Sequence, residues 1–290
     1  MQTLSEIKAL LTEHNLSPRH ALGQNFLIER TLITKLLDAA HASAGDLILE
    51  VGPGTGTLTE ALLARGCTVL AVELDRGLAA LLRERLGSHP AFTLIEGDCL
   101  APGKRLNPEL LTHLRAAPRF KLIANLPYQA ATPLILNLLI EHPACTHLAV
   151  TIQREVADRL LARPGTKDMG ILGLIAQSAA TIEVIAKLPP ECFWPRPEVT
   201  SAMALLTRLD HPAHADLRAL AAFANEIFAR RRKQLGSILG RDIPWPPGIR
   251  AEDRPENLDA PALARLMDAV HTHNSTKSKT PPHPETPSAE

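Results

Sequence analysis

The chain has 290 residues, 45% of them hydrophobic, which suffices for one large α/β domain and a small appendage. Lysine plus arginine equals aspartate plus glutamate at 31 each, so bulk electrostatics is excluded as a means of binding nucleic acid and any such surface must come from local clusters. The four cysteines are widely spaced, form no Cys-x-x-Cys pair and lie mostly in or beside apolar runs, so they read as reduced, small core residues, and no run approaches the ~18 apolar residues of a membrane span, so a soluble, cytoplasmic protein is expected.

Thr3 and Glu6 have the spacing of a capping box, and Leu4, Ile7, Leu10 and Leu11 share one face, which predicts a short helix within residues 1–16. The basic segment Ser17-Pro18-Arg19-His20 follows. From Asp46 onward, strand-like runs at 47–51, 68–73 and 92–96 alternate with helical patterns at 57–64 and 78–86, the signature of a parallel sheet made from βαβ units. Further strands are expected at 120–124 and 147–152 with a helix at 132–140 between them. Runs at 181–187 and 202–207 read as a closing antiparallel pair joined by a Pro-rich loop at 189–197. The main domain is thus expected over residues 17–208.

Beyond Asp210-His211-Pro212 the pattern is purely helical. Leu217, Leu220, Ala224, Ile227, Phe228, Leu235 and Ile238 share a face that Arg230, Lys233 and Arg241 avoid, and a last helix is expected at 260–270 after a Pro-rich stretch at 243–249. These predict a small α-helical domain at 209–271, its helix carrying the positive cluster Arg230, Arg231, Arg232, Lys233. Residues 272–290 are almost without apolar side chains and are expected to be a disordered tail. His271, His273 and His283 are scattered along a polar segment, where histidines are usually just solvated, so no metal is expected.

Two motifs carry the chemistry. Gly52, Gly54 and Gly56 sit between a strand and a helix, where glycine permits tight turning and close backbone approach to a ligand. Thr57 stands where a dinucleotide fingerprint needs glycine, and the Lys-Ser/Thr of a phosphate loop is absent, so a nucleoside without phosphates fits better. Glu73, ending the next strand, is placed to accept from two ribose hydroxyls. Asp98, after the third strand, is placed to accept from an adenine amine, although capping its own loop is the simpler role taken alone. The ligand implied is S-adenosylmethionine.

The second motif is Asn125-Leu126-Pro127-Tyr128 after the apolar run 120–124. An exocyclic amine on a base is a weak nucleophile, and neutral acceptors that bind its N–H groups favour a pyramidal nitrogen. Asn125 supplies a side-chain oxygen. Pro127 biases Leu126 to extended geometry, which can turn its carbonyl into the pocket, and Tyr128 offers a ring to a flipped purine. The plain alternative is a strand ending in a Pro turn with a packed tyrosine.

Together with Leu22-Gly23-Gln24-Asn25-Phe26-Leu27, Glu50-Val51-Gly52-Pro53-Gly54-Thr55-Gly56, Gln153-Arg154-Glu155, Phe193-Trp194-Pro195-Arg196-Pro197, Arg231-Arg232-Lys233 and Arg254-Pro255-Glu256-Asn257-Leu258, these motifs make residues 17–270 resemble the ribosomal RNA small-subunit adenine N6,N6-dimethyltransferases. The resemblance implies a Rossmann-like class I methyltransferase sheet with a small C-terminal helical domain that helps hold rRNA. It implies donor contacts from Asn25, Leu27, Gly52, Glu73, Asp98 and Asn125, and places Phe193 beside the target base. Asn25 could instead cap a helix, and Phe193 could be core. The expected substrate is a pair of adjacent adenosines near the 3′ end of 16S rRNA in the small ribosomal subunit, the protein a monomer, and the RNA contacts Arg19, Arg230, Arg232 and Lys233. One alternative is a 23S rRNA adenine N6-methyltransferase of the antibiotic-resistance type; another, from a different class, is a ribosome-assembly or transcription factor without catalysis.

Overall fold

A computed structural model describes residues 1–115 and 117–277. Seven strands, β1 (Leu47–Val51), β2 (Thr68–Glu73), β3 (Phe92–Glu96), β4 (Phe120–Asn125), β5 (Cys145–Gln153), β6 (Ala180–Leu188) and β7 (Ser201–Arg208), form one sheet in the order β3-β2-β1-β4-β5-β7-β6. β1 to β5 run parallel, and β7 inserts antiparallel between β5 and β6. The long apolar runs of β1, β2 and β4 follow from burial on both faces. Leu49, Val51, Leu70, Val72, Leu122 and Ala124 enter one core, while Ile48, Val69, Ala71 and Ile123 enter the other.

Eleven α-helices occur among the described residues. α1 (Leu4–Glu13) starts at the expected capping box, Thr3 with Glu6. α2 (Arg30–Ala39) and α3 (Thr57–Ala64) cover one sheet face together with Leu82 of α4 (Arg76–Leu86). α5 (Pro108–Arg115), α6 (Tyr128–Glu141), α7 (Arg154–Leu160) and α8 (Ile171–Ala179) cover the other. α9 (Leu217–Phe228), α10 (Leu235–Leu239) and α11 (Ala260–Lys277) extend that second layer, with Leu220, Phe223, Ile227, Leu263, Leu266 and Met267 sharing its core.

Three expectations change. The helix expected at 132–140 begins at Tyr128 and runs through Pro133. The proline is tolerated there because Gln129, whose carbonyl loses its partner, is exposed to water. The helix expected to carry Arg230 to Lys233 is interrupted: the N–H groups of Arg230, Arg231 and Lys233 bond back three residues, to the carbonyls of Ile227, Phe228 and Arg230 at 3.2, 3.1 and 2.8 Å, so the basic cluster lies on a turn. α10 then starts afresh, its Leu235 and Gly236 N–H groups donating to the carbonyls of Asp253 and Ala251. The disordered tail expected from residue 272 is helical to Lys277, and residues 278–290, including His283, lie outside the described residues.

Candidate active site

The order of strands reverses at β1, with β2 and β3 on one side and β4 on the other, and a crevice outside the carboxyl ends of such strands is where ligands bind in this architecture. A cavity of about 310 Å³ lies there. Its walls bring together Asn25, Leu27, Gly52, Gly54, Glu73, Asp98, Asn125, Leu126, Pro127, Tyr128 and Phe193, every donor-site and catalytic residue expected from the sequence.

The glycine loop forms one wall. Gly52 and Gly54 have φ of +71° and +62°, and a Cβ would lie 3.0 Å from the Pro127 ring at Gly52 and 2.9 Å from the Phe26 ring at Gly54. Both conformation and space therefore require glycine. Next to it Glu73 is only 5% exposed and accepts backbone N–H groups from Gly54 at 3.2 Å and Asp75 at 2.9 Å. Burial raises its pKa to about 7 against the pull of those hydrogen bonds. Asp98 is exposed at the far end, where its Oδ1 accepts from Leu100 N–H at 2.9 Å. It thus caps its loop and lines the cavity at once.

Asn125, the last residue of β4, donates from Nδ2 to the Asn25 carbonyl at 2.9 Å. Asn25 itself donates to the Gly23 carbonyl and does not cap a helix: Glu29 occupies the N-cap of α2. The segment carrying Asn25 is held over the cavity by a two-residue ribbon in which Phe26 and Leu27 pair antiparallel with Trp194 and Phe193. Phe26 stacks on Trp194 with centroids 6.3 Å apart. Phe193 is 2% exposed, so its ring is embedded in the wall, whereas Tyr128 is half-buried and anchored by its hydroxyl to Ser201 Oγ at 3.0 Å. Leu126 is fixed by its N–H, which donates to the Thr151 carbonyl.

Two wall residues escaped assignment from the sequence. Glu50 is 1% exposed with one partner, Thr59 Oγ1 at 2.7 Å, and burial lifts its pKa to about 8. An acid inside an apolar strand run was the signal. Leu74 keeps half its surface exposed beside Glu73, an apolar platform at the cavity mouth.

Among the described residues, the cavity lining contains Glu50, Glu73 and Asp98 and no lysine, arginine or histidine. With no cation to hold a phosphate, and with Asp98 and the ionised form of Glu73 facing it, such a wall disfavours phosphate and suits a ligand carrying positive charge and ribose hydroxyls, whereas Glu50 stays neutral near pH 7. The glycine cradle and buried Glu73 fit S-adenosylmethionine, a cationic nucleoside without phosphate.

The expected RNA contacts lie elsewhere. Arg230, Arg232 and Lys233 are exposed on the turn after α9. Arg231 instead donates to Glu256 Oε2 at 2.7 Å and to the Lys167 carbonyl at 2.8 Å. Arg19 lies near the cavity, with Nε 3.3 Å from Asp75 Oδ2.

A family model described as "Ribosomal RNA adenine dimethylase" matches residues 15–246. A protein of Magnetococcus marinus named "Ribosomal RNA small subunit methyltransferase A" is 39% identical over 276 residues, covering 92% of this chain and 97% of its own length. Its namesake from Alkaliphilus oremlandii is 38% identical over 234 residues, 80% of each. Among solved structures, a dimethyladenosine transferase from Plasmodium falciparum superposes with TM-score 0.69 at 22% identity, covering 87% of this chain and 98% of that one. The 23S rRNA methyltransferase ErmE superposes with TM-score 0.63 at 24% identity, covering 85% and 100%. Both share the class I methyltransferase fold with this chain.

Proposed function

The chain belongs to the ribosomal RNA adenine dimethylase family, and from that premise we propose how its cavity performs the reaction. The protein is a 16S rRNA adenine N6,N6-dimethyltransferase. The observation that carries our reading of the site is the cation-free, acidic cavity ending at Asn125.

S-adenosylmethionine supplies an electrophilic methyl group when bound. Glu73 would accept from its ribose hydroxyls, Asp98 from its adenine amine, and Leu74 would lie against the adenine face. Gly52 and Gly54 let the loop backbone approach closely, and Asn25 and Leu27 close the cavity from above.

At the other end, the Asn125 amide is turned by Asn25 so that Oδ1 remains free as an acceptor. A target adenine lying on the Tyr128 ring, with Phe193 behind it in the wall, would offer its N6 hydrogens to Asn125 Oδ1 and the Leu126 carbonyl. Acceptors on both hydrogens favour a lone pair directed out of the ring plane, along the line of attack. The nitrogen becomes acidic once alkylated and releases its proton to water, so no strong base is needed. A second round on the same nitrogen gives the dimethyl product. Two adjacent adenosines near the 3′ end are the expected targets, with Arg230, Arg232 and Lys233 of the 209–271 region holding phosphates.

Incubation with unmethylated small subunits, large subunits or DNA and labelled donor should give N6,N6-dimethyladenosine in the small-subunit RNA alone. Label confined to large subunits would favour the 23S alternative. Intact glycine loop, Glu73, Asp98 and Asn125 disfavour a purely non-catalytic role.

A further inference from the structure

We infer that Gln24, together with Arg19, is a positioning residue that ties the donor end of the cavity to its base end. Asp75 is the anchor. It is 4% exposed, and both carboxylate oxygens are used. Oδ1 caps α4 by accepting from the N–H groups of Gly77 at 2.8 Å and Leu78 at 3.2 Å. Oδ2 accepts from Gln24 Nε2 at 3.1 Å and lies 3.3 Å from Arg19 Nε. Gln24 also fixes its own segment, since its Oε1 accepts from the Arg19 N–H at 2.7 Å.

The two ends of this anchor reach the two halves of the site. Asp75 N–H donates to Glu73 Oε1 at 2.9 Å, orienting the carboxylate we assign to the donor ribose. The residue after Gln24 is Asn25, whose carbonyl fixes the Asn125 amide at 2.9 Å. A path of hydrogen bonds and the chain itself therefore runs from Glu73 through Asp75, Gln24 and its neighbour Asn25 to Asn125. A buried carboxylate that loses a partner is costly, so the path is held in one arrangement as long as Gln24 and Arg19 engage it. This also gives Arg19 a role other than the phosphate contact expected from sequence.

The inference rests on Glu73 lying in the donor site. Gln24→Ala should raise the donor Kd about tenfold by calorimetry and lower kcat about tenfold, while the salt dependence of subunit binding stays as in the unmodified protein. Gln24→Glu, which keeps the acceptor for Arg19 and loses the donor to Asp75, should shift the same two quantities and serves if Gln24→Ala is unstable. Arg19→Gln should weaken donor binding several-fold, with partial recovery in Arg19→Lys. Donor Kd and kcat unchanged in both Gln24 variants, with only the melting temperature lowered, would overturn the inference. So would Arg19→Gln flattening the salt dependence of RNA binding with donor Kd unchanged. Glu73→Ala separates the two readings: if it leaves donor binding intact the site assignment fails, whereas if it abolishes donor binding and Gln24→Ala does not, only the link fails.

Discussion

Asn125 gives its amide hydrogen to the Asn25 carbonyl at 2.9 Å, and that single bond decides which atom of Asn125 meets the substrate. With the nitrogen committed to the chain, the oxygen is the group presented to an incoming amine. Asn125→Ala should therefore retain the native circular dichroism spectrum and melting temperature within a few degrees, yet lose on the order of 100-fold in kcat, the usual cost of misplacing a reacting group. Near-normal turnover would sink the proposed mechanism.

Glu73 gives a pH signature to donor binding. Its carboxyl, raised by burial to a pKa of about 7, is protonated below neutrality and ionised above it. Ribose hydroxyls donating to it favour the ionised form, so donor affinity should rise between pH 6 and 8 and binding near pH 7 should release a fraction of a proton. Calorimetry in two buffers of different ionisation enthalpy measures that release. Glu73→Gln should abolish it, and Glu73→Ala should cost ~1.5–3 kcal/mol for each charged hydrogen bond removed.

Glu50 makes the fold less stable as pH rises. In the unfolded chain it ionises near its ordinary value of 4.5, whereas burial keeps it protonated in the folded state up to about 8. The folded state binds the extra proton across that window, so stability falls with increasing pH between those limits. Glu50→Gln, which keeps an acceptor for Thr59, should match the unmodified protein near pH 4 and exceed it by roughly 1–4 kcal/mol at pH 8. Denaturant titrations at pH 4, 6 and 8 check this; a gap that does not widen with pH refutes it.

The basic turn should separate binding from scaffolding. Replacing Arg230, Arg232 and Lys233 together by glutamine should weaken small-subunit binding and reduce the log–log salt slope by ~0.7–0.9 for each phosphate no longer neutralised, with donor affinity unchanged. Arg231→Gln should leave the slope alone and lower stability by roughly 1–2 kcal/mol, because its partners are Glu256 and the Lys167 carbonyl. A triple variant that binds at every salt concentration like the parent would remove this turn from the RNA surface.

The central strands were legible because burial on both faces leaves long apolar runs, and the edge strands because short apolar runs alternate with helical patterns; α3 and the strands at 47–51, 68–73 and 92–96 were read to the residue. The glycine loop and the tetrapeptide were equally plain, since their residue types are tied to local backbone geometry. What the sequence withheld depends on distant partners. After the break at Phe228 the chain is held by the Leu235 and Gly236 N–H groups donating to the Asp253 and Ala251 carbonyls, and local periodicity carries no trace of that pairing. Arg231 is not among the RNA contacts expected from sequence, but nothing in the sequence names its partner Glu256, 2.7 Å away. The pairing of Leu27 with Phe193, and the clasp of Gln24 on Asp75, likewise join residues far apart in the chain.

That ribbon of Phe26 and Leu27 against Trp194 and Phe193 has a consequence for synthesis. The segment that roofs the cavity leaves the ribosome ahead of its partner strand, which is made more than 160 residues later. Until then two bulky apolar side chains and their unpaired backbone groups wait at a free edge, open to any other strand that passes. The nascent enzyme can fold most of its sheet in this interval without possessing a closed donor pocket, so catalytic competence arrives as a late event in translation and not gradually with chain length.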